Sequence, residues 1–238
     1  MTRIDGRALD QLRPVKITTD FVKFPEGSCL IECGNTKVLC CASIEERTPP
    51  HVAEGCGWVT AEYSMLPQAN RERSRRDISK LKLSARSAEI QRLVGRSLRA
   101  AVDMEKLGER TINIDCDVLQ GDGGTRTASV TGGFIALSIA LHKLVEQGVL
   151  REMPLKTCVA AVSAGIVDET PMLDLCYEED SAAQVDLNCV MTGEGRLIEI
   201  QGTGEGRAFT VEEQRTLVEL CAKGIREIQA MQKAALGG

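Results

Sequence analysis

A glycine-rich turn joining a strand to a long apolar helix constrains this chain more than any other feature. Cys116-Asp117-Val118-Leu119 has the pattern of a strand end, and Thr127 to Gln147 reads as one long apolar helix. Between them stands Gly123-Gly124-Thr125-Arg126, so the turn opens a helix. The first turn of a helix has N–H groups without backbone partners and carries the positive end of the dipole, which suits an anion. The two glycines let an oxyanion approach the backbone, Thr125 adds a hydroxyl and Arg126 a forked cation. The same run also fits a plain helix entry with Thr125 as cap.

The rest of the chain alternates in the same way. Cys29–Cys33 and Thr36–Cys40 form a hairpin around Gly34-Asn35, and a further strand is expected at Trp58 to Glu62. Leu66 to Leu83 has no period and is assigned as loop. Ser84 to Asp103 is a helix with Ile90, Leu93, Val94, Leu98 and Ala101 as its apolar stripe. Thr111 to Leu119 is a strand. After Gly148 come strands at Thr157–Gly165, Met172–Tyr177 and Val185–Met191, with Arg196–Gln201 pairing the last of these. Thr210, with Glu213 three residues on, opens a closing helix through a capping box. Strands then helix, twice over, imply an α+β fold of two similar halves, about 1–148 and 149–238, in one domain.

Composition narrows the function. The expectation is that no apolar run spans a bilayer and that the chain is soluble and cytoplasmic, with no membrane partner. The ten cysteines lie in apolar strand patterns and lack any Cys-x-x-Cys, and there are only two histidines, His51 and His142. That disfavours a zinc site and fits reduced, buried thiols. Aromatic residues make up 3% of the chain, too few for a base-stacking platform.

Three further groups carry chemistry. Arg86 falls at the angle of Ile90, Leu93 and Ser97, which points it inward at the start of its helix; it awaits either an internal carboxylate or a bound phosphate. Asp180 and Asp186 have little local pairing and suggest a divalent metal. Arg71-Glu72-Arg73-Ser74-Arg75-Arg76, followed by Lys80 and Lys82, is a basic run in a chain of net charge −5. Such a run reads as a solvated loop, an RNA-backbone contact or a subunit interface.

Several motifs in order resemble one family. They are Arg13-Pro14-Val15, Glu26-Gly27-Ser28, Thr60-Ala61-Glu62-Tyr63, Glu89-Ile90-Gln91-Arg92-Leu93, Asp115 to Gln120, Asp122 to Thr127, Tyr177 to Ala182, Met191-Thr192 and Glu199 to Thr203. Over nearly the whole chain the sequence is similar to the bacterial ribonuclease PH family of phosphorolytic RNA exonucleases. The resemblance implies two related β-β-α-β-rich halves of the ribosomal protein S5 domain 2-like type and a homohexamer built as a trimer of dimers. It implies trimming of tRNA precursors, and of rRNA ends, with inorganic phosphate as co-substrate and nucleoside diphosphates as products. It assigns phosphate binding to Arg86, Gly124, Thr125 and Arg126, metal binding and catalysis to Asp180 and Asp186, and a catalytic or RNA-backbone role to Arg92. In a ring, Arg73, Arg75 and Arg76 would gather into an RNA-binding collar. Ala85, Ser64 and Gln68 depart from the family pattern, which has glycine, glycine and arginine there. The alternative reading is a catalytic-type subunit of a mixed exosome ring.

Overall fold

The computed structural model describes residues 3–76 and 83–237. The expected hairpin is present: β2 (Gly27–Cys33) and β3 (Thr36–Glu45) pair antiparallel, with Cys29 opposite Cys40 and Ile31 opposite Val38. β1 (Val15–Thr19), which the sequence pattern does not announce, adds to β2. β4 (Trp58–Met65) and β5 (Thr111–Gln120) complete a five-stranded sheet in the order β1-β2-β3-β5-β4. β4 runs parallel to β5, so the chain must cross over between them. The crossover is α1 (Ala85–Ala101), which lays its buried stripe of Ile90, Leu93, Val94 and Leu98 on β4.

The α1 helix stops two residues short of the expected end. Val102 is extended and bridges Leu155, while Asp103 caps a separate four-residue turn, α2 (Met104–Leu107), by accepting from the N–H groups of Glu105 and Lys106. A side-chain acceptor that satisfies two orphan donors favours a new helix start over continuation of the old one.

α3 (Thr125–Glu146) is the centre of the molecule. It lies against β2, β3 and β5 on one side and, on another, against β6 (Val159–Val167), the first strand of a second sheet. A helix covered on several sides must be apolar nearly all round. That corrects the membrane expectation in one respect. α3 is long and apolar enough to span a bilayer, but 83% of its apolar window is buried inside the fold.

The second sheet is antiparallel, in the order β7-β6-β8-β9, with β7 at Thr170–Leu173, β8 at Val185–Thr192 and β9 at Leu197–Gly204. α5 (Val211–Ala235) covers it, opened by the expected capping box between Thr210 and Glu213. β6 is buried at every position because α3 and α5 both pack on it. One expected strand is wrong at its far end. β7 stops at Leu173, Asp174 turns the chain at φ 53°, and Tyr177–Ala182 forms a short helix, α4, opened by a reciprocal pair between Cys176 and Glu179.

Close approach of α3 to the first sheet depends on Gly132. A Cβ there would lie 2.8 Å from both Cys40 Sγ and Ile31 Cγ2. Gly→Ala inside a helix ordinarily stabilises by roughly 0.5–1 kcal/mol. Here overpacking reverses the sign, and Gly132→Ala is expected to cost on the order of 1–2 kcal/mol. Urea unfolding followed by circular dichroism measures it, and a stabilised variant would contradict the packing described.

Candidate active site

The Asp122–Gly124 turn is shaped by residues from both halves of the chain. Gly123 and Gly124 sit at φ 75° and φ 64°, conformations that glycine enters without strain. A Cβ on Gly123 would meet Leu175 O at 2.5 Å, so the turn packs directly on the approach to α4. Thr36 Oγ1 accepts from Asp122 N at 2.9 Å and donates to Gly123 O at 2.6 Å. Arg13, 4% exposed, donates from Nη1 to Asp122 O and from Nη2 to Asp174 Oδ1 at 2.7 Å. Gly124 is the N-cap of α3 and caps it with no side chain. The first N–H groups of α3 are therefore left without a side-chain cap at a firmly held turn, an arrangement that suits an anion.

The side chains at this turn differ in part from expectation. Thr125 is buried, and its hydroxyl pairs with Tyr63 OH at 2.9 Å. What Thr125 offers an anion is thus its backbone N–H before its hydroxyl. Arg86 is exposed rather than inward, because the stripe of α1 reaches the core only from Ser87 onwards. It faces the same place nonetheless. Burial raises the pKa of Tyr63, while its bond to Thr125 and the cations Arg86 and Arg126 pull it back. Among the described residues Arg86 has no carboxylate within ion-pair distance, although its charge acts on Asp180. Arg126 is half-buried and held by Gln201 and Glu89.

Asp180 and Asp186 face these arginines. Asp180 lies in α4, whose approach is pinned by the buried pair of Arg3 and Glu179, with Arg3 Nε 2.8 Å from Glu179 Oε1. Asp186 is the second residue of β8 and accepts from Asn188 Nδ2 at 2.9 Å. Burial, then the charge of Asp180, pushes the Asp186 carboxyl up to about 6. Asp180 is exposed by area yet crowded by atoms, and that desolvation raises its pKa against the pull of Arg86 and Arg126. Glu205 adds negative charge to both. Among the described residues no group of three or more His, Cys, Asp or Glu side chains could hold a metal. A pair of mutually repelling carboxylates fits a cation that keeps most of its water, as magnesium does, and not one that needs a full protein cage.

Arg92 is exposed on α1, three residues after Glu89 and four before Arg96, on the helix face that meets β9 through Arg96 and Glu199. Arg73, Arg75 and Arg76 are exposed on the loop after β4, and Arg76 lowers the pKa of Asp117 against the burial that raises it. Arg71 of the same run bonds Glu178 of α4 at 2.9 Å, which brings the loop beside Asp180. Asp77, Lys80 and Lys82 lie outside the described residues. Ala85, Ser64 and Gln68 are all exposed, and Gln68 Nε2 donates to Asn70 O at 3.4 Å. Site-building residues not anticipated from the sequence are Arg13, Thr36, Tyr63, Asp174, Glu89 and Gln201. Their partners are remote; Arg13 and Asp174 are 161 positions apart, and no local pattern marks such a pair.

The models of the 3′ exoribonuclease family match along the chain, domain 1 over residues 11–142 and domain 2 over residues 157–224. The chain is 56% identical to ribonuclease PH of Syntrophomonas wolfei over 238 residues, covering 100% of both chains. It is 58% identical to that of Neisseria gonorrhoeae over 232 residues, covering 97% of this chain and 96% of the relative. Among solved structures, the Archaeoglobus fulgidus exosome with RNA bound to the active site superposes with a TM-score of 0.84 at 23% identity, covering 97% of this chain and 92% of the other. Rice (Oryza sativa) Rrp46 gives 0.81 at 18% identity, covering 98% and 100%. At such identities these two speak for the fold. Family models on both halves, and end-to-end identity above one half, establish that the chain belongs to the 3′ exoribonuclease family in its ribonuclease PH branch, as a phosphorolytic 3′-to-5′ exoribonuclease.

Proposed function

We propose that the chain trims 3′ extensions of tRNA precursors, and of rRNA ends, by attack of inorganic phosphate on the last phosphodiester. Nucleoside 5′-diphosphates leave, and the same site adds nucleotides back when diphosphate is abundant. The observation that carries this reading is the convergence of Arg126, Arg86 and the first N–H groups of α3 opposite the carboxylate pair. Arg86, Gly124, Thr125 and Arg126 hold the attacking phosphate, and Arg92 steers the RNA backbone. Positioning and charge stabilisation supply most of the rate, because phosphoryl transfer asks little covalent chemistry of the protein. Asp180 and Asp186 would hold magnesium or manganese, which when bound offsets charge on the transferring phosphoryl group. The halves 1–148 and 149–238 act as one catalytic domain, since each supplies part of the site.

Around this core we propose a cytoplasmic homohexamer in which Arg73, Arg75 and Arg76 form a basic collar. A chain of net charge −5 with few aromatics holds RNA poorly as one copy, and a ring multiplies local positive charge. A reducing compartment suits ten free cysteines.

Three measurements test this. Release of nucleoside diphosphate from a 3′-extended tRNA should require phosphate, and Arg126→Ala should lower turnover at limiting phosphate by about a hundredfold. Wild-type turnover in that variant would remove Arg126 from the phosphate site. Asp186→Asn should abolish phosphorolysis yet stabilise the metal-free protein. The folded pKa of Asp186 is raised to about 6 from the ordinary 3.8. Its ionised form therefore costs stability above about pH 6 and nothing below about pH 4. The variant should gain on the order of 2–3 kcal/mol at pH 8 and none at pH 4 in the presence of a chelator. Excess magnesium should shrink the gain at pH 8, because the cation stabilises only the wild type. A thermal-melt difference that does not vary with pH would count against the repelling pair. Changing Arg73, Arg75 and Arg76 together to Ala should weaken tRNA binding more than binding of a short oligonucleotide, with the hexamer intact by sedimentation. Equal weakening would remove the collar.

A further inference from the structure

Arg126 arrives at the site already held by two partners of different charge. Its Nη1 donates to Gln201 Oε1 at 2.9 Å and to Glu89 Oε1 at 3.2 Å. Its Nε and Nη2 have no partner among the described residues, which leaves one edge of the guanidinium open for a bidentate oxyanion. Gln201 comes from β9 and Glu89 from α1, so three elements meet at one nitrogen. Gln201 is itself fixed. Its Nε2 donates to Glu199 Oε1 at 3.3 Å, and Arg96 grips Glu199 at 3.0 and 2.8 Å through Nε and Nη2. The amide therefore keeps a single orientation, with its oxygen toward Arg126.

The two partners have opposite effects on an incoming anion. Gln201 is neutral; it orients the guanidinium without offsetting its charge. Glu89 is an anion and competes for the same cation. Its side chain is 50% exposed while that of Arg126 is 19% exposed, so the carboxylate can turn away into water as phosphate arrives. We propose that Gln201 and Glu89 are positioning residues that set phosphate affinity in opposite directions: Gln201 raises it by holding Arg126 in its binding orientation, and Glu89 lowers it by partly neutralising that arginine. The proposal rests on the reading of Arg126 as a phosphate ligand.

Initial rates of diphosphate release from a short oligoribonucleotide, measured against phosphate concentration, decide it. Glu89→Gln keeps an acceptor and removes the charge, so the KM for phosphate should fall about threefold. Gln201→Met removes the acceptor at similar volume, and that KM should rise about fivefold. In both variants kcat at saturating phosphate should stay within about twofold of wild type, since the chemistry of the bound complex is untouched. Residues with a merely structural role would not move KM in opposite directions. Unchanged KM in Glu89→Gln, or a shift of both variants in the same direction, overturns the proposal. Should Gln201→Met melt well below wild type, the surface variant Glu89→Gln still decides by the sign of its KM change. A wild-type enzyme indifferent to phosphate would overturn the underlying reading of the site instead.

Discussion

The guanidinium of Arg13 is the fastening on which the rest of the structure depends. It is buried, and it joins three places that are far apart in sequence: the N-terminal segment, the glycine turn before α3 and the bend after β7. Asp174 answers it with both oxygens, and the backbone N–H of Arg13 also donates to Asp174 Oδ2 at 2.8 Å. A charge so enclosed is tolerable only with its partner, and loss of one member of such a pair costs roughly 3–5 kcal/mol. Arg3 repeats the device beside it, bonding Asp174 O at 3.1 Å and clasping Glu179 of α4. The glycine turn and the acidic helix are thus held by two buried arginines.

This arrangement divides the cations of the site into two kinds. Arg13 and Arg3 are spent on protein partners and serve as scaffold. Among the described residues, Arg86 and the Nε–Nη2 edge of Arg126 make no ion pair with a carboxylate. The acids divide in the same way, with Glu179 and Asp174 paired internally and Asp180 and Asp186 crowding each other. These remaining charges act on one another: Arg86 and Arg126 pull the pKa of Asp180 down, and Arg126 that of Asp186.

What was legible in the sequence was what is decided locally. The Gly34-Asn35 hairpin, the Thr210–Glu213 cap, the stripe of α1 and the apolar α3 all follow from neighbours a few residues apart. The Gly-Gly-Thr-Arg turn was legible as a helix opening because glycine conformations are local as well. The failures are long-range. β7 stops at Leu173 because Asp174 adopts a left-handed conformation and bonds a residue 161 positions earlier. Arg86 lies at the angle of a buried face, but that face is not yet covered at the first turn of α1. The Thr125 hydroxyl turned inward because Tyr63, 62 positions away, supplies a partner. The basic run gave no sign that Arg71 would settle on Glu178.

The burial of α3 between two sheets has a consequence for synthesis on the ribosome. The first sheet and α3 emerge well before β6, so the most apolar helix of the chain leaves the exit tunnel with one side bare. Until Asp174 follows, Arg13 lacks its carboxylate and the glycine turn lacks its floor. A nascent chain therefore has no finished nuclease site while RNA surrounds it, and it needs shelter for an exposed apolar surface over the same interval. The site is finished only when β8 and β9 have brought Asp186 and Gln201, and β6 is covered on its second face only when α5 follows.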